Sequence, residues 1–184
     1  MEKNKISILS IDPSLKSTGV YLNSIDMLLT INPKQKLSRM QKYKKIAHEL
    51  QLINVMSDVD IVLVEDYSFG SKTSSTTILA EIKGIIFHIF QHSKIIIYPI
   101  AIWQSHHCLN NKYAVVKKGK KVAQNKLYVE HFSNKYDKPF LNTDEVDAYL
   151  IYKSFMKTIK QPLTSAEIMV QDQYMDFIKC KIEK

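Results

Sequence analysis

The sequence predicts an α/β protein: a mixed five-stranded sheet, three antiparallel strands plus two parallel ones, flanked by helices on both faces. Three observations predict it. The chain begins with three short runs of β-formers joined by turn-length links. A near-continuous apolar run, "DIVLVED" at 60–66, has the composition of a central strand buried on both faces. From there on helical and strand patterns alternate, as a parallel crossover requires.

The elements follow in order. "ISILSID" (6–12), "GVYLNS" (19–24) and "DMLLTIN" (26–32) read as consecutive strands, and links this short make antiparallel hairpins. In 36–56 the residues Met40, Ile46, Ala47, Leu50 and Ile53 recur at helical spacing between Lys and Gln. After the strand at 60–66, the polar stretch 71–77 offers several helix caps. The helix 78–93 that follows is apolar on most sides and so expected to be buried. "KIIIYPI" (94–100) reads as a fifth strand and 101–109 as a short helix. A basic loop at 110–125, around Gly119, leads into a helix at 126–136. "NTDEVDAYLIYKSFMKTI" (142–159) is a strong helix, with Asn142 or Thr143 as cap and acids in its first turn. A last amphipathic helix spans about 164–182. With no repeat and no long linker visible, residues 1–184 read as one domain.

Composition narrows the function classes. A chain of 184 residues, 45% hydrophobic and 24% charged, can build a real core. No window of 18 or more apolar residues occurs, so no transmembrane helix and no membrane partner are expected. The first residues lack the apolar core of a signal peptide, and the expectation is a cytoplasmic protein. Cys108 and Cys180 match no metal spacing and are expected as free thiols. A net charge of +8 points to a polyanionic partner. Four glycines in all, with neither GxGxxG nor a P-loop pattern, argue against a phosphate-cradling loop.

Four carboxylates carry the candidate chemistry. Asp12 ends the first strand and Glu65 the fourth. If these strands are parallel neighbours, the two emerge at one sheet edge about 5 Å apart. Asp144 and Asp147, three apart at the start of a helix, share one face. A helix beside that edge would bring all four together. Such a cluster cannot remain ionised and unpaired: two charges at ~4 Å repel by roughly 4 kcal/mol at an effective dielectric near 20. Either the pKa values rise or divalent cations bind, and oxygen-only ligation favours Mg²⁺ or Mn²⁺. Two such ions about 3.5–4 Å apart can clamp a phosphodiester. Each acid also has a plain reading. A strand-end Asp commonly forms a turn, and acids in a first helical turn commonly serve the cap and dipole, which suffices for Asp144 and Glu145. Asp147, within "VDAYL", and Glu65 sit among apolar residues and are harder to explain that way.

At these residues the sequence resembles the RuvC family of Holliday junction resolvases, especially its phage-encoded branch. "SIDPSLKSTGVYL" resembles the family's opening IDPGxxxTG strand-turn-strand. "VLVEDYSFG" resembles its strand ending in Glu with an aromatic tail, "AEIKGIIF" the helix that follows, and "NTDEVDAYLI" its closing DxxDA helix. The likeness spans about residues 6–156, with the motifs in the right order. It implies an RNase H-like fold, with Asp12, Glu65, Asp144 and Asp147 as metal-binding acids. It also implies Mg²⁺-dependent hydrolysis of phosphodiesters, leaving 5′ phosphate and 3′ hydroxyl. The family acts as a homodimer, whose two-fold symmetry fits a four-way junction. A phage-encoded member would work in the host cytoplasm. Two departures stand out. Ser14 replaces a turn glycine. "VVKKGKKVAQNK" replaces the basic loop, so the DNA-contacting lysine is Lys126 or, next, Lys121.

The resemblance gives meaning to further residues. Lys117, Lys118, Lys120 and Lys121 flank Gly119 and are candidates to bind phosphates, where a plain solvated loop is the ordinary reading. Tyr67 and Phe69 follow Glu65; an aromatic there could stack on an unpaired base at the junction centre, and Phe69 is favoured. Lys16, Ser17 and Thr18 are candidates to border the scissile phosphate. His106 and His107 are adjacent, about 100° apart on a helix, so a shared ion is not expected and packing or DNA contact is preferred. Helix 78–93 is a candidate dimer surface, a core helix being the competing view. The other readings are an actin-like or sugar-kinase-like ATPase, for which the chain is short and glycine-poor, a non-catalytic junction-binding protein, and another nuclease of this fold, debranching or ribonuclease H-like.

Overall fold

A computed structural model describes residues 6–66, 73–107 and 121–182. Five strands, β1 (Ile8–Asp12), β2 (Thr18–Leu22), β3 (Met27–Ile31), β4 (Ile61–Glu65) and β5 (Lys94–Tyr98), form one sheet in the order β3-β2-β1-β4-β5. β1, β2 and β3 pair antiparallel; β4 and β5 join parallel to β1. The mixed sheet expected from the sequence is therefore present.

Alternation along the strands splits the core in two. Leu9, Ile11, Val20, Leu22, Val62 and Val64 point to one face. There they meet Ile46 and Leu50 of α1 (Arg39–Met56) and Ile82 and Ile86 of α2 (Thr73–Ile89). Ile8, Tyr21, Ile61, Leu63, Ile96 and Tyr98 point to the other. That face is covered by α3 (Ile100–His106), α4 (Lys121–Tyr136), α5 (Thr143–Thr158) and α6 (Ser165–Ile182). Since side chains alternate between faces, Ser10, Asp12 and Glu65 belong to this second face.

Several boundaries differ from the expectation. α2 starts at Thr73 rather than 78, because a Ser/Thr-rich first turn leaves no apolar period to read. It is also less enclosed than its composition implied: Ile82, Ile86 and Ile89 are buried, while Phe87 is 40% exposed. On α1, Met40 is exposed and Tyr43 takes the buried position; Ser38 and Gln41 close a capping box at its start. α4 begins at Lys121, five residues earlier than expected, so part of the supposed basic loop is helical.

The turn after β1 answers the question posed by Ser14. Ser14 is not in a left-handed conformation, so no glycine is required there. Thr18 closes the turn instead, its hydroxyl donating to the Ser14 carbonyl at 2.7 Å and accepting from the Ser14 N–H at 3.2 Å. Gly19 is needed for a different reason. A Cβ there would stand 2.0 Å from the Asp144 carbonyl oxygen, so α5 can rest on β2 only over a bare Cα. Gly19→Ala is expected to cost about 1–3 kcal/mol by forcing the helix off the strand. For a chain of this size that lowers the melting temperature by about 2–4 °C per kcal/mol. An unchanged melt would show that α5 is not seated this closely.

Candidate active site

The site is built at the carboxyl edge of the two central strands. Ile11 and Val64 are register partners in the parallel pair, so the next residues, Asp12 and Glu65, leave the sheet side by side. α5 runs across β1 in the opposite direction. Ser10 Oγ donates to the Ala148 carbonyl at 2.7 Å. Two residues up the strand from Ser10 is Asp12, and one turn back along the helix from Ala148 is Asp144, with Asp147 on the same face. The spacing of the two elements thus brings the helical acids to the strand acids.

The first turn of α5 separates the acids by job. Asn142 caps the helix, its side chain accepting from the Glu145 N–H at 3.0 Å. Glu145 is buried and reaches back to accept from the Leu141 N–H at 2.8 Å and the Thr30 hydroxyl at 3.1 Å. The ordinary capping role therefore falls to Glu145, and Asp144 is left to face the strand edge. There it accepts a 2.5 Å hydrogen bond from the Ser17 hydroxyl.

Neighbouring acidic charges act on Asp12, Glu65 and Asp147. Burial pushes Asp12 well above the usual carboxylate range, and the charges of Glu65 and Asp144 add to it. Burial also raises Asp147, with the Asp12 and Asp144 charges adding and the Tyr128 hydroxyl, 2.5 Å away, opposing. Glu65 is raised by burial and by Asp147. Its hydrogen bonds with Asp12 and Trp103 and the charge of Lys83 pull the other way. The Trp103 indole donates to Glu65 Oε1 at 3.0 Å. Lys83, on the buried face of α2, pairs with Asp66 at 3.0 Å.

The donor set suits a hard divalent cation: four carboxylates, no sulfur or imidazole among them, and mutual repulsion that a cation would relieve. Among the described residues, no three acidic, His or Cys side chains converge closely enough as they stand to share one metal ion. The acids are instead tied to their neighbours: Asp144 to Ser17, Asp147 to Tyr128, and Glu65 to Trp103 and Asp12.

The remaining expected residues fare differently. Tyr67, Phe69, Lys117, Lys118 and Lys120 lie outside the described residues, as does Cys108. Lys121 is the first residue of α4. Lys126 is not drawn to the acids: its side chain is 78% exposed and pairs with Glu130, about 200° around the helix from Tyr128. Thr18 is fully buried with its hydroxyl used in the turn, so it does not border the site, whereas Ser17 does and Lys16 is exposed. His106 and His107 each contact neighbours of their own, His106 those on α5 and α6. His107 lies 3.2 Å from the Leu150 carbonyl and from the Tyr136 hydroxyl, and burial brings its pKa down to about 4. Three neighbours of the acids escaped the sequence reading: Trp103, Tyr128 and Lys83. Two of them carried a signal. A buried indole needs an acceptor, and a lysine inside "ILAEIKGIIF" needs an acid.

With this geometry in view, comparison with solved structures is informative. Thermus thermophilus RuvC in complex with a Holliday junction substrate is similar at a TM-score of 0.61 and 12% identity, over 83% of this chain and 93% of that one. A second structure of Thermus thermophilus RuvC gives 0.55 and 14%, over 83% and 96%. This chain has the fold of RuvC. No protein-family model matches the sequence, and no curated protein matches it.

The raised carboxyls make stability without metal depend on pH. A folded state that holds these protons more tightly than the unfolded chain loses stability as pH climbs from the ordinary carboxylate range through the raised values. Asp12→Asn removes one of the charges without changing shape. In EDTA it is expected to melt above wild type at pH 7.5, by about 2–4 °C for each ~1 kcal/mol of repulsion relieved. At pH 4 the difference should shrink towards zero. Equal melting at both pH values would mean that Asp12 is not under strain.

Proposed function

We propose that this protein is a divalent-metal-dependent endodeoxyribonuclease that nicks branched DNA, resolving four-way junctions by paired incisions as a homodimer. The observation that supports this reading is the nearness of Asp12, Glu65, Asp144 and Asp147, from two strands and one helix, close enough for their charges to interact on a RuvC fold. In it Asp12, Glu65, Asp144 and Asp147 would hold two Mg²⁺ ions, with Mn²⁺ able to substitute. When bound, these cations supply positive charge at the scissile phosphate and lower the pKa of the attacking water.

The chain's own residues prepare that chemistry. Ser17 fixes the rotation of Asp144 and Tyr128 that of Asp147. Lys83 adds positive charge behind Glu65, favouring its ionised, ligating form. Hydrolysis would leave 5′ phosphate and 3′ hydroxyl. Residues 1–184 form one nuclease domain in this reading. Tyr67 and Phe69, which follow Glu65 in the chain, are assigned to the unpaired bases of the junction. Lys117, Lys118, Lys120, Lys121 and Lys126 are assigned to the phosphates, where they contribute affinity rather than sequence choice. A second copy is assigned to the outer side of α1 and α2, which exposes Met40 and Phe87 beside an apolar groove of about 560 Å³. A phage-encoded protein acting in the host cytoplasm fits this reading, and among the described residues no helix is long and apolar enough to cross a membrane.

The test uses purified protein with a synthetic four-way junction, a Y-fork and a linear duplex, each with Mg²⁺ or EDTA. The junction is expected to be nicked in Mg²⁺ alone, with the linear duplex spared. Asp12→Asn and Asp147→Asn should each cut about 10²–10³-fold more slowly. Equal cutting of linear duplex would sink the branched-DNA reading, and full cutting by either mutant would sink the assignment of the acids. Junction binding without any cutting would favour a non-catalytic binding protein. Gel filtration is expected to give a dimer; a strict monomer removes the basis for paired incision.

A further inference from the structure

The indole that meets Glu65 is held in an unusual way. Trp103 is 4% exposed and sits on α3, a helix of seven residues with no side-chain cap at its start. So short a helix has little stability of its own, and its orientation depends on what grips it. The grip is at His106, three residues on and on the same face as Trp103. His106 Nδ1 lies 2.6 Å from Ser154 Oγ of α5, and its Nε2 lies 2.5 Å from Glu167 Oε1 of α6. The His106 and Glu167 side chains are 7% and 4% exposed, so the contact is shielded from water.

Both partners are fixed in turn. Ser154 also bonds the Tyr98 hydroxyl at 2.8 Å, and Tyr98 bonds Thr158 at 2.9 Å. The second oxygen of Glu167 accepts from the Leu163 N–H at 2.9 Å. α6 is tied down along its length, by Gln171 to the Ile159 carbonyl at 3.0 Å and by Lys181 to Asp60 near the start of β4. A buried acid–imidazole–hydroxyl set of this kind could suggest a nucleophile, but Ser154 is 1% exposed and no substrate could reach it. Its connections lead instead through α3 to Trp103.

We propose that Trp103 is a positioning residue for Glu65, and that the C-terminal helix α6, through Glu167 and His106, holds Trp103 in place. This rests on the reading of Glu65 as a site acid. An N–H donor aimed at one carboxylate oxygen limits the rotation of the side chain and leaves the other oxygen for a ligand, and partners of this type typically matter 10–100-fold for metal affinity or activity. The last helix then has a task at the site although none of its residues is part of it.

The protein contains one tryptophan, so its emission reports on this position alone. Full-length wild type, Glu65→Ala, Glu167→Gln and Glu167→Ala are compared in EDTA. Glu65→Ala, which removes the acceptor of the indole N–H, is expected to change the emission. Glu167→Ala should shift it to the red and raise its quenching by acrylamide, while Glu167→Gln, which keeps an acceptor oxygen, stays close to wild type. In Mg²⁺ with a four-way junction, Glu167→Ala and Trp103→Phe should each lower kcat about tenfold at unchanged KM. Trp103→Phe keeps the aromatic bulk and so serves as the variant that folds should Glu167→Ala fail to. Wild-type emission and quenching in Glu167→Ala, or in Glu65→Ala, would overturn the proposal, as would wild-type kcat in Trp103→Phe. A wild type that cuts no branched DNA overturns the nuclease reading instead, and the emission measurements still decide whether α6 governs Trp103.

Discussion

The carboxyl edge of this sheet depends on how closely α5 lies on β1 and β2. Two contacts set that distance: the Ser10 hydroxyl on the Ala148 carbonyl, and the bare Cα of Gly19 beneath the Asp144 carbonyl. Both engage backbone oxygens of the helix, so they position its main chain rather than one side chain. The consequence is electrostatic. A helix seated further out would let Asp144 and Asp147 relax into water; seated here, it adds their charges to those of two half-buried strand acids. Burial first, and the neighbouring acidic charges after it, hold Asp12 and Asp147 above the usual carboxylate range.

The two faces of the sheet divide the work. α1 and α2 cover one face with mainly aliphatic side chains. The other face holds the acids together with a set of buried polar contacts made by Ser10, Tyr98, His106, Ser154 and Glu167. Buried polar groups are tolerated when each is satisfied and are costly when one is not. That face therefore needs the extra cover of α3 to α6, and aromatic contacts such as Tyr98 with Phe155 and Phe155 with Tyr174 supply much of it.

Much of this was legible in the chain, and the reasons differ by element. The strands and α5 were readable because alternation and capping are local signals: "IVLVE" is buried throughout, and Asn142 caps as its residue type suggests. The antiparallel pairing of the first three strands followed from their short links, while the parallel neighbourhood of β1 and β4 was a condition that only the sheet supplies. Proximity of the four acids was readable because it needed only strand ends and a helical spacing. The supports of those acids were not. Trp103 reaches Glu65 across 38 residues of sequence, and His106 reaches Glu167 across 61; no local pattern encodes either pairing. Starts of helices were also hard to read where the first turn is polar, as at Thr73 and Lys121. Lys126 looked right by order along the chain, yet helical phase turns it away from Tyr128 and so from the acids.

The same phase argument explains why one turn of α5 holds two neighbouring acids with unlike surroundings. Asp144 and Glu145 are about 100° apart on the helix. Glu145 falls on the side of Thr30 and the incoming chain, where its carboxylate accepts from the Thr30 hydroxyl and the Leu141 N–H while its own N–H donates to Asn142, which closes one cap. Asp144 falls over Gly19 and beside Ser17, and it has the hydroxyl of a turn residue rather than a backbone amide as partner. A backbone amide is part of the scaffold and cannot leave without breaking the cap. A serine hydroxyl can rotate away. Of the two acids, the one facing the sheet edge is thus also the one whose present partner can be exchanged for another without cost to the helix.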